Sequence, residues 1–220
     1  MPSGSDACAE TAGTANGAGD STVEANKSRL ATLSARARAC QVCAAYLPLG
    51  PRPVFQVDAA ARLLIAGQAP GRKVHETGLP FNDASGDRLR AWLGLDGAAF
   101  YDATRVAILP MGFCYPGAAK SGDMPPRPEC APLWRAPFLA EMPNIALTLA
   151  IGQYAQAAYI GAARKSTLTQ TVRAWQDYGA ALIPLPHPSP LNNIWLAKNR
   201  WFEAEVVPAL RRRIVAMWET

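Results

Sequence analysis

The sequence predicts an α/β fold: a three-layer sandwich whose central four-stranded parallel sheet is flanked by helices. Short, nearly continuous apolar runs recur at residues 62–66, 105–109, 145–151 and 180–185. Helical stretches lie between them, and that alternation marks a parallel sheet buried on both faces. Each run also ends in a loop that carries Gly or a His-Pro pair, the punctuation expected where a strand hands over to a ligand-binding turn.

The elements follow in order. Residues 1–26 are rich in Gly, Ala, Ser and Thr, with only Met1 and Val23 as large apolar residues. Such a composition cannot bury enough surface to offset the entropy of ordering, so this segment is expected to be a disordered tail, and residues 27–220 the folded domain. A first helix is predicted over 28–38, and further helices near 87–93, 131–141, 153–160 and 201–218. Gly67-Gln68-Ala69-Pro70-Gly71 follows the first strand and Met111-Gly112-Phe113 the second. Ile151-Gly152-Gln153 follows the third, and His187-Pro188-Ser189-Pro190 the fourth. Ligands of open α/β sheets bind beyond the carboxyl ends of the strands, so these four loops are expected to meet at one site.

Half of the 220 residues are hydrophobic and 18% are charged, an ordinary balance for a globular domain. No apolar stretch is long enough to span a bilayer, and the first residues carry no apolar core of the secretory kind. A cytoplasmic monomer with no membrane partner is the expectation. The net charge is +5, and residues 1–26 hold four acidic and no basic side chains, so the folded part is more basic than the total. That balance suits a polyanionic partner without requiring one.

Gly-Gln-Ala-Pro-Gly at 67–71, with Leu79-Pro80-Phe81 downstream, resembles the first motif of the uracil-DNA glycosylase superfamily. His187-Pro188-Ser189-Pro190-Leu191 resembles its second. The order and separation agree with that family, and the resemblance covers roughly residues 40–213. It implies a monofunctional DNA repair hydrolase that flips uracil out of DNA, cuts its N-glycosidic bond, releases free uracil and leaves an abasic site.

The chemistry explains the residue types. Uracil departs as an anion while the sugar becomes cation-like. A neutral imidazole at His187 can donate a hydrogen bond to the growing oxyanion, an interaction worth a few kcal/mol in a dry pocket. Gly67 and Gly71 let backbone approach the nucleotide, and Ala69 between them is a further substrate-binding candidate. The resemblance assigns Phe81 to stacking on the flipped base, worth roughly 1–3 kcal/mol. Pro188, Ser189 and Pro190 form a stiff loop to pinch the phosphate backbone, Leu191 is an apolar wedge, and Lys198 stands behind them to meet phosphate. Plainer readings stand beside these: a structural His187, a core Phe81, ordinary packing for Leu191, and a solvated face for Arg211-Arg212-Arg213.

Cys40 and Cys43 form a C-x2-C pair, and Cys114 and Cys130 flank a Gly- and Pro-rich segment. In a reducing compartment four such cysteines suit a metal centre better than disulfides. Their spacing resembles the iron–sulfur branch, family 4, which implies a structural 4Fe–4S cluster. Zinc on four thiolates, or four buried free thiols, fits the same count.

Two departures bear on mechanism. Family 1 has an Asp at the position of Ala69, and family 4 has Glu at the position of Gln68 and acidic residues beyond Gly71, where this chain has Arg72-Lys73-Val74-His75. Gln68, His75 and Glu76 are therefore the candidates for holding the attacking water, with Asp83 within reach should its loop fold inward. The stretch from Glu76 to Phe81 is closer to the single-strand-selective branch. The Asn that reads the uracil edge after the second strand is also missing, and Gly112, Phe113 and Asn82 are the candidates to replace it.

Overall fold

A computed structural model describes residues 17–219 of the chain, with side chains from Glu24 onward. Four parallel strands form the sheet: β1 (Leu63–Ala66), β2 (Val106–Ile108), β3 (Leu147–Ile151) and β4 (Leu182–Leu185), in the order β2-β1-β3-β4. The registers Leu63↔Val106, Leu63↔Leu147 and Thr148↔Leu182 start each pairing. Nearly every strand residue is buried, which is why the runs read as continuously apolar. Pro184 is tolerated within β4 because that strand lies at the edge of the sheet.

Helices cover both faces, giving the three layers read from the sequence. The described helices are α1 (Gly17–Arg38), α2 (Arg72–Thr77), α3 (Ala84–Leu93), α4 (Gly97–Tyr101), α5 (Cys130–Ala140), α6 (Gly152–Ile160), α7 (Leu168–Arg173), α8 (Asn193–Lys198) and α9 (Val207–Glu219). A π-helical turn, Phe202–Val206, leads into α9. On one face Leu63 and Ile65 pack with Leu89, Trp92, Phe100, Phe202 and Leu210. On the other, Leu64, Ala107 and Leu109 pack with Leu30, Phe55, Phe113 and Phe138.

The first helix starts at Gly17 rather than near residue 28, so it takes in part of the segment expected as tail, and residues 1–16 of that expectation lie outside the described residues. No helix among the described residues is long and apolar enough to cross a membrane. Two of the three consecutive arginines are tied to backbone. Arg211 donates to the carbonyls of Ala91 and Trp92 at the C-terminal end of α3, and Arg213 to those of Gly179 and Ala180.

Helix α3 is fixed by its ends. The Asp83 side chain accepts from the Gly86 amide as N-cap, and Gly94 closes the helix in the left-handed region. Gly86 is there for space: a Cβ on it would stand 1.7 Å from the Phe81 carbonyl oxygen. Gly86→Ala is expected to destabilise the fold by about 1–3 kcal/mol and to displace Phe81. Gly97→Ala, where a Cβ would meet nothing within 4 Å, is the control. Urea unfolding of the two variants checks the contrast, and equal stability would contradict it.

Candidate active site

The strand order reverses between β1 and β3, a switch point at which open α/β sheets bind ligands. A cleft of about 1440 Å³, counting the space open to solvent, lies at that carboxyl edge. Gly67, Gln68, Ala69 and Gly71 from the turn after β1 line it, together with Phe81, Asp83, Gln153 and Tyr154. His187, Ser189 and Leu191 enter from the loop after β4. The two motifs, more than a hundred residues apart in the chain, therefore face one cavity.

Local structure aims each group. His187 packs beside Gly152, whose φ of +75° starts α6; a Cβ there would come within 3.9 Å of the imidazole. Nδ1 of His187 accepts from the Ser189 amide at 3.2 Å, which leaves the proton of a neutral ring on Nε2. Asn192 donates to the His187 carbonyl at 2.7 Å, and the Ser189 hydroxyl accepts from the Leu191 amide. Arg88, reaching up from α3, clamps the loop through the carbonyls of Pro188 and Ser189 and the side chain of Asn193. Phe81 holds a left-handed φ of 53°, rare for an aromatic residue. Its carbonyl accepts from Arg90 at 3.3 Å, and its ring lies 3.5 Å from where a Cβ on Gly67 would be. The ring thus packs against the backbone of the glycine turn.

Burial holds the His187 imidazole below the ordinary histidine range, against the Asp83 carboxylate, which acts to raise it. His75 is lowered too, by burial first and then by Arg52, with Glu76 opposing. Both rings are neutral at pH 7. A lowered folded value means that the unfolded chain binds more protons just below the ordinary value of about 6.5, so stability is full above it and is lost as pH falls beneath it. The thermal midpoint is expected to drop as pH falls below about 6.5, and less steeply in a His75→Gln/His187→Gln variant. Parallel profiles for the two proteins would contradict this.

Several candidates stand away from the cleft. His75 is buried in α2, its ring 6.1 Å from that of Tyr115 and its Nδ1 without a partner among the described residues. Glu76 is exposed and paired with Arg72 at 2.9 Å. Asn82 does not line the cleft; Gly112 and Phe113 face the other side of the loop after β2, and Phe113 is buried between Phe55 and Phe138. Lys198 is exposed on α8 and Pro188 is buried. Leu191 is 68% exposed at the cleft rim and Ile194, one helical turn on, is 71% exposed. Sequence reasoning missed Ser85, Tyr154 and Asp123, which line the cleft. Gln153 was legible only as part of the turn after β3.

Cys40, Cys43, Cys114 and Cys130 line a second cavity, walled by Val42, Leu47, Phe113, Leu133 and Trp134. All four are free. Burial pushes the Cys114 thiol up to about 11 and the Cys130 thiol up to about 12, and the neighbouring cysteines add to both. The Phe113 amide donates to the Cys130 sulfur at 3.3 Å. Four sulfurs drawn from three separate segments into one apolar cavity fit a group bound by four thiolates. Among the described residues, no group of three or more His, Cys, Asp or Glu is set to hold one metal ion.

A doubly wound parallel sheet with a buried histidine, an aromatic wall and glycine turns at its carboxyl edge defines an α/β protein with a ligand cleft at its switch point. The family model described as the uracil DNA glycosylase superfamily matches residues 54–211, and the chain belongs to that superfamily. Membership implies a DNA glycosylase, a hydrolase of N-glycosidic bonds in base excision repair. Cys40 and Cys43 lie ahead of the matched segment.

Proposed function

We propose that this protein removes uracil from DNA by hydrolysis of the N-glycosidic bond, leaving an abasic site. The observation that carries the reading is the convergence of the Gly67–Gly71 turn, Phe81 and His187 on one cleft at the switch point of the sheet. Phe81 stacks on the extruded base, and Gly67 and Ala69 admit it without a clash. Nε2 of neutral His187 donates to the carbonyl oxygen that gains charge as the bond breaks. No carboxylate stands at residues 68 or 69, but Asp83 lines the same cleft and its Oδ2 is free of the helix cap made by Oδ1. It is the acceptor that holds the attacking water. Leu191, with Ile194 beside it, fills the gap in the stacked bases.

The same reading gives the four cysteines a structural 4Fe–4S cluster, as in family 4. Zinc on four thiolates would draw its sulfurs to about 2.3 Å from one centre, and iron, sulfide and zinc content measured on one sample separates the two. The cluster is favoured by the family 4 spacing of the four cysteines. When bound, it supplies cross-linking between the segment after α1, the loop after β2 and the start of α5.

A second reading, a binder of uracil-containing DNA with slow turnover, is favoured by the amide and methyl side chains at 68 and 69. An oligonucleotide with one deoxyuridine separates the two. Free uracil and an alkali-labile site, formed over many turnovers, are expected. A tight complex without released base would support the second reading, and neither binding nor release by the iron-loaded protein would overturn both.

A further inference from the structure

The segment between Cys114 and Cys130 folds back on itself as a small hairpin. The Met124 amide donates to the Gly117 carbonyl at 2.8 Å and the Ala119 amide to the Gly122 carbonyl at 2.9 Å. The Gln68 side chain donates to the Met124 carbonyl at 3.1 Å, which pins the hairpin over the glycine turn. Ser121, Gly122 and Asp123 thereby line the same cleft as His187. A Cβ on Gly71 would stand 3.4 Å from Oδ2 of Asp123 and 3.8 Å from Oδ2 of Asp83. Two carboxylates thus reach the space over Gly71 from opposite walls, one from the N-terminus of α3 and one from the hairpin.

We propose that Asp123 is a second catalytic carboxylate, which holds the attacking water over Gly71 together with Asp83. This rests on the hydrolytic reading above. The water oxygen bonds to the sugar carbon as the bond from that carbon to the base nitrogen breaks. The electron pair leaves with uracil, and the water proton passes to the carboxylate pair. Burial, with the Asp83 charge adding, pushes the Asp123 carboxyl above its ordinary range, which makes it a stronger proton acceptor than an ordinary carboxylate. Tyr115 on the same segment feels the Asp123 charge, and Arg72 and His187 line the same cleft.

The test is single-turnover uracil release by the iron-loaded wild type, Asp123→Asn, Asp83→Asn and Gly71→Ala. Asparagine caps a helix as aspartate does, so Asp83→Asn keeps α3. Gly71 has a φ of −78°, so alanine there is unstrained and its methyl occupies the water's space. Asp123→Asn is expected to slow release roughly a hundredfold and to move the acid limb of the rate profile to lower pH. Affinity for an oligonucleotide with a hydrolysis-resistant 2′-fluorinated deoxyuridine should stay unchanged, and Gly71→Ala should slow release as well. An active wild type whose Asp123→Asn variant keeps its rate and its pH profile overturns this proposal alone. An inert wild type overturns the hydrolytic reading and takes this proposal with it.

Discussion

His187→Ala is expected to lower the single-turnover rate of uracil release by about 10²–10³-fold, with little change in affinity for uracil-containing DNA. The reason is where the charge develops. In the bound substrate the carbonyl oxygen of uracil is only partly negative, so losing one donor weakens binding slightly. As the glycosidic bond lengthens, that oxygen takes up charge inside a cleft from which the base has displaced water, and the missing donor is felt in full. The loop around His187 is built to deliver this donor. The Ser189 amide occupies Nδ1, Asn192 holds the His187 carbonyl, and Arg88 fixes the next two carbonyls. His187→Gln, which can donate but lacks that fixed geometry, should fall between the two. Rates within tenfold of wild type for His187→Ala would mean that the oxyanion is stabilised elsewhere.

The second large effect is expected at the cysteines. Cys114→Ser or Cys130→Ser should abolish bound iron and sulfide, and should lower the thermal midpoint by about 10 °C or more. Metal ligation at a structural site contributes on the order of 10 kcal/mol to folding, far more than one core side chain. Cys114 and Cys130 also stand at the two ends of the hairpin that carries Asp123 across the cleft. Losing the centre should therefore slow uracil release even at temperatures where the protein stays folded. Iron and sulfide content, measured beside zinc on the same sample, reads the first effect, and calorimetry the second. A wild type that carries one zinc and no iron would replace the cluster with a zinc site. A wild type without metal, as stable as its Cys114→Ser variant, would make the cavity an apolar pocket with four ordinary thiols.

The sheet was legible because burial on both faces leaves little but Val, Ile, Leu and Ala in its strands. The loops at the strand ends were legible because Gly and His-Pro stand out against such runs. The short helices α2, α4, α7 and α8 were not, since five or six residues hold too little periodicity to tell from a loop. That miss decides the fate of His75 and Glu76. Read as loop residues beside Gly71 they looked available to a water, but the turn of α2 sends one ring into the protein and one carboxylate into solvent. Phe113 follows a strand, yet its ring joins Phe55 and Phe138 in the core instead of the cleft. Asp123 sits in a stretch of Gly, Pro and Ser where sequence pattern fixes no direction. Tertiary contacts bring it over the site, among them the hydrogen bond from the Gln68 side chain to the Met124 carbonyl.

The most direct test of the central claim is a crystal structure of the His187→Ala variant with DNA containing one deoxyuridine. The expected result is a base turned out of the helix, stacked on Phe81, with its carbonyl oxygen facing the space left by the imidazole and Leu191 in the gap behind it. A uracil still paired in the duplex, or seated anywhere other than between Phe81 and residue 187, would contradict the account.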